Sequence, residues 1–190
     1  MPVADPSALA FLQNRRSRPA KTLGLPVPDA DALHPLLTAA ARTPDHGKLE
    51  PWRFVVIDRT AMARLAEVAE QRGAALGLAP EDIAKGRGQF DQGNLAVAVI
   101  EVQKPSPKIP PLEQTYSAGA VCLALLNAAL AAGWGANWLS GWPSHDRGFM
   151  EEGFALAPHE RIAGIIHIGT ETAPPPERPR PNIDEITKWL

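Results

Sequence analysis

The segment from Ser117 to Ala132 constrains the fold more than any other part of the sequence, because it has helical propensity and is apolar nearly all round. A helix that is apolar on every side has to be buried, either in a protein core or in a bilayer. This segment is shorter than the roughly 20 apolar residues of a membrane-spanning helix, it is rich in alanine, and Asn127 interrupts it. We therefore expect a buried helix at the centre of the fold, and no membrane association.

Helices and strands are expected on both sides of this segment. Capped helices are predicted after Asp5 and after Asp29 or Asp31, and a longer helix is predicted to open at Thr60. Three runs have the length and the β-branched or apolar composition of strands, namely Trp52–Asp58, Leu95–Val102 and Arg161–Gly169. The order is helix, helix, strand, helix, strand, long helix, strand and tail, which predicts a mixed α+β domain.

The remaining segments are less regular. Residues 80–90 read as a weak helix or a loop, and the prolines of residues 104–111 exclude regular structure there. Ser144 is a candidate cap for a short helix that ends at Phe154. We predict one domain in residues 1–170, followed by a proline-rich arm in residues 171–190 that packs on a partner subunit. The apolar residues available for that contact are Ile183, Ile186, Trp189 and Leu190.

Composition narrows the class of protein. The formal net charge is −2, whereas a general nucleic-acid binder normally has a basic surplus, so nucleic acid is not an expected partner. The lone cysteine, Cys122, lies in an apolar segment and reads as a small buried hydrophobe. The five histidines have no HxH, HExxH or CxxC companions, so no metal site is expected. The start of the chain, from Met1 to Asp5, lacks the pattern of a signal peptide, so we expect a cytoplasmic protein.

A first cluster of polar residues, Arg15, Arg16 and Ser17, directly follows the first predicted helix. Two guanidinium groups and a hydroxyl suit a phosphate, because arginine offers forked donors of fixed geometry. The alternative is a solvated basic helix end that interacts with the helix dipole.

Two further clusters contain candidate binding residues. The loop from Arg42 to Trp52 holds Arg, Asp, His, Lys, Glu and Trp side chains within eleven residues, and it is either a binding loop or a polar surface loop. The segment from Gly133 to Gly141 combines glycines with two tryptophans and a serine. Its glycines would let the backbone approach a planar ligand, or they would cap the long helix before a turn.

The usual catalytic patterns are missing. The sequence has no Gly-x-Ser-x-Gly elbow and no glycine-rich dinucleotide fingerprint. A catalyst that has neither its own nucleophile nor a metal depends on an organic cofactor for its reactivity.

Together, the three clusters resemble the signature regions of the nitroreductase family in order and in spacing, over about residues 11–169. The length resembles that of the short bacterial members. This resemblance implies an α+β fold with a mixed sheet, surrounding helices and a buried central helix, arranged as an intertwined homodimer. It also implies FMN at the subunit interface and NADPH or NADH as the reductant. The electrons would pass in a ping-pong cycle to a small acceptor such as a nitroaromatic or a quinone.

The resemblance also assigns residues to the cofactor, and it implies no catalytic side chain because FMN carries the chemistry. Arg15, Arg16 and Ser17 would bind FMN from one subunit, and Arg42 and His46 would reach it from the other. Within the first subunit the set is completed by Trp138, Leu139, Ser140 and Gly141. In short members the segment that matches residues 128–133 is associated with NAD(P)H.

The sequence departs from the family pattern in two regions. Many family members have glutamine or a serine-rich stretch where this chain has Lys48, Leu49 and Glu50. The basic residue near the C-terminus that often binds the phosphate has three candidates, Arg178, Arg180 and Lys188. Other interpretations are a flavin-binding sensor or carrier without efficient turnover, a flavin-destroying or dehalogenating relative, and a helical interaction protein.

Overall fold

The sheet is built around a long central strand, β5. A computed structural model describes residues 3–190. Met1 and Pro2, the first two residues of the N-terminal segment, lie outside the described residues. The strands are β1 (Leu23–Gly24), β2 (Trp52–Ile57), β3 (Ala96–Val102), β4 (Gly135–Leu139) and β5 (Glu160–Glu171). The helices are α1 (Pro6–Asn14), α2 (Ala30–Ala40), α3 (Arg59–Ala75), α4 (Pro80–Asp91), α5 (Pro111–Ala131), α6 (Arg147–Phe154) and α7 (Ile183–Ile186).

The expected α+β class is confirmed, but the sheet differs in one respect from the expectation. Each strand pair of the described residues is antiparallel, so the sheet is not mixed within one chain. The reason lies in the position of β5. Strands β3 and β4 run in the same direction and are joined by α5, but His167 of β5 pairs with Ala96 of β3 on one side and with Asn137 of β4 on the other. Because β5 lies between them, the two parallel strands never become neighbours.

Alternating side chains of β3 enter two separate cores, one on each face of the sheet. Ala98 and Ile100 face a core formed with α3, α4 and α6, which includes Phe90 and Phe149. Val97 and Val99 face a second core that is formed with α2 and α5. A strand that is buried on both faces has a near-continuous apolar sequence, as β3 has.

The long apolar helix is confirmed, although it begins at Pro111, six residues before the predicted start. One side of α5 packs on the sheet, and eight of its residues are buried. The other side is not covered within one chain, since Leu112, Tyr116 and Leu123 are exposed. By length and composition alone the helix could cross a membrane, yet 44% of its most apolar window is buried inside the fold.

Aspartates cap four of the helices. Asp5, Asp29, Asp58 and Asp146 each accept a hydrogen bond from the backbone N–H three residues later. The cap of α6 is therefore Asp146 and not Ser144, because α6 begins at Arg147. The weak helix expected in residues 80–90 is formed as α4. Strand β4 was not predicted as a strand.

One buried titratable group is expected to control stability against pH. His167 is 1% exposed, lies beside Met62 and Gly93, and has no hydrogen-bond partner on either ring nitrogen within the described part of the chain. Burial lowers its pKa from 6.5 to about 4. Between these values the unfolded chain binds a proton that the folded chain does not, so stability is present at neutral pH and falls as the pH falls.

We therefore predict that the free energy of unfolding of the wild type, compared with that of His167→Leu, falls as the pH is lowered from 8 to 5. The full difference between the two pKa values corresponds to about 3 kcal/mol, of which about 2 kcal/mol is lost above pH 5. Urea titrations of both proteins at several pH values measure this difference. A constant difference over this range would contradict the buried neutral state of His167.

Candidate active site

The arginine segment after α1 is fastened to strand β4. Arg15 ends α1 in an extended conformation, with φ −57° and ψ 144°. The backbone N–H of Arg18 donates to the carbonyl of Ala136 at 2.8 Å, and the Asn137 amide Nδ2 donates to the carbonyl of Arg18 at 2.6 Å. The first and third clusters of the sequence are therefore neighbours in the fold.

Positive charge accumulates in this segment without matching acceptors. Arg15 donates through Nη2 to the Ser17 hydroxyl at 2.9 Å, and Arg18 pairs with Glu171 at 2.9 Å. The Nε atoms of Arg15 and Arg16 are buried and have no hydrogen-bond partner among the described residues. Leaving buried donors unpaired costs free energy, so this cluster fits an anionic group that would accept from them.

The neighbours of Arg15 strengthen this interpretation. Burial lowers the pKa of Arg15, and the charges of Arg180, Arg16 and Arg18 lower it further. Of the three C-terminal candidates, Arg180 is therefore the one whose charge reaches the cluster. The arm is also held here, because Arg16 Nη2 donates to the carbonyl of Pro176 at 3.3 Å.

A cavity of about 330 Å³ opens beside these arginines. Phe11 and Trp134 give it aromatic surface, and Leu130 and Gly133 at the end of α5 also line it. These two residues belong to the segment that the resemblance associates with NAD(P)H. The full lining consists of Phe11, Asn14, Arg15, Arg16, Arg18, Leu130, Gly133, Trp134 and Glu171.

The last strand residues and the turn after them form a second part of the site. Trp138 covers Gly164 of β5, where a side-chain carbon would overlap the indole, and Trp138 remains 37% exposed. Ser140 is exposed, and Gly141 has φ 156° and ψ −174°, a conformation that is essentially restricted to glycine. The turn therefore presents backbone and a hydroxyl to an approaching ligand.

Leu139 points to a different cavity, of about 490 Å³, between the end of β4 and helix α4. Ala20, which follows the arginine segment, also lines this cavity. The facing wall is supplied by Glu81, Ala84, Lys85, Gly88, Gln89 and Gln92. Helix α4 thus lines a cavity beside Leu139 that the sequence did not indicate.

The loop with Arg42 and His46 lies elsewhere in the chain. Arg42 is exposed, and His46 Nδ1 lies 2.6 Å from the Glu113 carboxylate near the start of α5. Ser117 fixes the loop, because its hydroxyl donates to the Pro44 carbonyl at 2.9 Å and accepts from the Trp52 indole at 3.1 Å.

Helix α5 separates the two groups of predicted residues. Ser117 adjoins the Arg42 loop, whereas Leu130 lines the arginine cavity. Thirteen residues of α-helix span about 20 Å. One chain therefore brings together Arg15, Arg16 and Ser17 with the strand that carries Trp138, but it keeps Arg42 and His46 apart from them.

Two residues with a place in this site were not assigned to it by the sequence analysis, and a third was left among alternatives. Arg18 and Trp134 lie in clusters that the sequence does show, and the run from Arg15 to Arg18 could have included the third arginine. Arg180 was one of three candidates, and only folding brings its charge near Arg15. Within residues 3–190 there is no group of three or more His, Cys, Asp or Glu side chains that could hold a metal ion.

Comparison with known proteins identifies the family. The sequence model described as the Nitroreductase family matches residues 13–170. The chain belongs to the nitroreductase family. It is 34% identical over 163 residues, 86% of this chain and 87% of the relative, to the protein of Escherichia coli (strain K12) named "Putative NAD(P)H nitroreductase YdjA". A Haemophilus influenzae protein whose name likewise describes an NAD(P)H nitroreductase is 31% identical over 165 residues, covering 86% of this chain and 88% of that protein.

Solved structures show the same fold. The nitroreductase-like family protein from Bacillus cereus superposes with a TM-score of 0.80 at 23% identity, covering 100% of this chain and 99% of that one. A nitroreductase-type protein from Desulfovibrio desulfuricans, crystallised in complex with FMN, gives a TM-score of 0.75 at 18% identity, with 98% and 99% coverage. The predicted family and fold are confirmed.

The unpaired arginine donors predict that a simple anion stabilises the ligand-free protein. At a phosphate concentration of about ten times Kd, linkage gives about 1.4 kcal/mol, or roughly 3 °C in Tm for a chain of this length. We expect this increase in the wild type and little of it in Arg15→Gln. Arg87→Gln is the matched control, since Arg87 already pairs with Glu70 and Asp91. Equal increases in all three proteins, or none in the wild type, would argue against an anion site.

Proposed function

We propose that this protein is an FMN-dependent oxidoreductase that takes electrons from NADH or NADPH and delivers them to a small acceptor such as a nitroaromatic or a quinone. The observation that carries the proposal is the cluster of Arg15, Arg16 and Arg18 next to an aromatic cavity, with buried donors that lack acceptors among the described residues. The family and the FMN complex of a protein with the same fold support the choice of FMN.

The residues present fit the phosphate end of FMN. Arg15 and Arg16, with the Ser17 hydroxyl, would bind the phosphate oxygens, and Arg18 and Arg180 would add positive charge. Fixed guanidinium groups in a partly desolvated site attract a dianion strongly. Orphaned donors that cost free energy in the free protein would then be paired, so binding has a large favourable electrostatic contribution.

The residues at the end of β4 fit the ring end. Trp138 would supply stacking surface, Leu139 an apolar contact, and Ser140 and Gly141 a hydroxyl and a closely approaching backbone. When bound, FMN would supply the two-electron chemistry, receiving hydride from the nicotinamide and releasing electrons to the acceptor in a ping-pong cycle. The side chains bind and orient the partners, and none acts as a nucleophile.

A second copy of the chain would complete the site. Arg42 and His46 lie at the opposite end of α5 from Arg15, so they would reach the same flavin from a partner. The exposed face of α5 with Leu112, Tyr116 and Leu123 offers the apolar surface for a homodimer. The arm of residues 171–190 is the second such surface, because Ile183, Ile186, Trp189 and Leu190 are exposed within one chain.

The first test is the identity of the chromophore and the presence of turnover. We expect a yellow protein whose heat-released cofactor is FMN and not FAD, and steady-state oxidation of NADPH or NADH with a quinone or nitroaromatic acceptor. A colourless protein that does not bind added FMN would contradict the proposal. Tight FMN binding without turnover would instead indicate a flavin sensor or carrier, and a degraded flavin or a dehalogenated product would indicate a different reaction.

A second test concerns the sharing of one flavin by two chains. Arg15→Ala and Arg42→Ala each leave anionic acceptors unpaired, so FMN affinity should fall roughly tenfold to a thousandfold. Lysine at either position should rescue only partly, because the planar fork is lost. Arg87→Ala is the control, and equilibrium titration of FMN fluorescence is the measurement.

Mixing the two alanine variants tests the sharing directly. In a heterodimer both lesions fall on one flavin, which leaves the other site intact. Titration after proven chain exchange should therefore recover one high-affinity site per dimer. If mixing recovers no tight binding, Arg15 and Arg42 do not serve the same flavin.

A further inference from the structure

Trp142 directly follows the turn of Ser140 and Gly141, and its indole is wedged between two helices. A side-chain carbon on Gly86 of α4 would overlap the indole nitrogen, and one on Gly73 of α3 would lie 3.3 Å from Cζ2. The indole Nε1 donates to the carbonyl of Asp82 in the first turn of α4 at 2.9 Å. Gly86 thus leaves the space that the ring occupies, whereas a side chain at Gly73 would first meet Ile83 of α4, at 2.8 Å.

The backbone around Trp142 is a compact turn. The N–H of Ser144 donates to the Gly141 carbonyl at 3.0 Å, and the N–H groups of His145 and Asp146 donate to the Trp142 carbonyl at 3.0 and 2.9 Å. Because these hydrogen bonds make the turn compact, a shift of the indole would also move Gly141 and Ser140. Asp146 continues the connection, because it caps α6 and pairs with Arg72 of α3 at 3.0 Å.

Trp142 also contacts the helix that lines the cavity at the end of β4. Leu139 forms one wall, and Lys85 and Gln89 of α4 belong to the other. The indole binds to α4 within one turn of Lys85, through Asp82 and Gly86. A single side chain therefore ties the turn after β4 to the facing helix.

We propose that Trp142 is a positioning residue for the flavin site. It holds the turn of Ser140 and Gly141 at a fixed distance from α4, so that the backbone of the turn is preorganised for the flavin ring. This inference rests on the proposed function, which assigns that turn to FMN. The hydrogen bond to Asp82 fixes the orientation of the ring, and the contact with Gly86 fixes its distance from α4, so the position of the turn depends on both contacts.

Two substitutions test the proposal from opposite sides. Trp142→Phe keeps an aromatic ring and loses the N–H donor. Gly86→Ala keeps Trp142 but places a methyl group against its ring. This change does not weaken α4 itself, because alanine is a better helix former than glycine. Each should weaken FMN binding by about fivefold to tenfold, a change of the size of one hydrogen bond, and should shift the visible flavin spectrum and the reduction potential. Ile57→Val, a conservative change in the core part of strand β2, is the control for general destabilisation and should leave all three unchanged.

The double variant Gly86→Ala/Trp142→Phe provides the decisive comparison. The smaller ring relieves the overlap with the methyl group added at position 86, so the combined loss should be no greater than that of Trp142→Phe alone. Hydrogen exchange in flavin-free protein gives a readout that does not depend on the cofactor, and the hydrogen-bonded amides of Ser144, His145 and Asp146 should exchange faster in both single variants. Losses that multiply in the double variant would overturn the proposal.

The other outcomes separate this inference from the proposed function. If the wild type binds FMN and both single variants bind it as tightly as Ile57→Val does, the positioning role is wrong and the proposed function stands. If the wild type binds no FMN, the proposed function fails and this inference fails with it, whatever the exchange rates show.

Discussion

The packing of α5 on one face of the sheet determines where every part of the candidate site lies. This helix connects β3 to β4 and leaves room for β5 between them, so β4 becomes a strand only by pairing with β5. One end of α5 carries Leu130 and Gly133 into the cavity of the arginine segment. The other end anchors the loop of Arg42 through Ser117. The length of the helix therefore sets the separation of the two binding regions.

The arginine cluster is suited to an anionic ligand, and its unpaired donors lower the stability of the ligand-free protein. Arg15, Arg16 and Arg18 lie within a few residues of one another, and within residues 3–190 only Arg18 of these three has a carboxylate partner. The same repulsion and burial that lower the pKa of Arg15 would favour a bound dianion. If this segment served only stability, its buried donors would be paired or replaced by apolar groups. Their arrangement is therefore better explained by the binding of a ligand than by a contribution to folding.

The elements that the sequence predicted well are those specified locally. Asp5 and Asp29 cap their helices directly, and the apolar run of β3 identifies a strand that is buried on both faces. Strand β4 could not be recognised, because Gly135, Ala136 and Asn137 have low strand propensity and become extended through pairing with β5. In the site, the contiguous Arg15, Arg16 and Ser17 were visible in the sequence. The proximity of Arg180 and Trp134 to them was not, since it depends on long-range folding.

Helix α4 shows how a functional contact can weaken a local signal. Its glycines lower helix propensity, which is why the sequence predicted only a weak helix or a loop there. Gly86 leaves the space that the indole of Trp142 occupies, and the hydrogen bond from Trp142 to Asp82 compensates part of the cost. The residue that is locally unfavourable in α4 is thus required by packing against the turn after β4. For the same reason, replacing Gly86 by a better helix former should raise the helix content of the isolated α4 segment and weaken FMN binding by the whole protein.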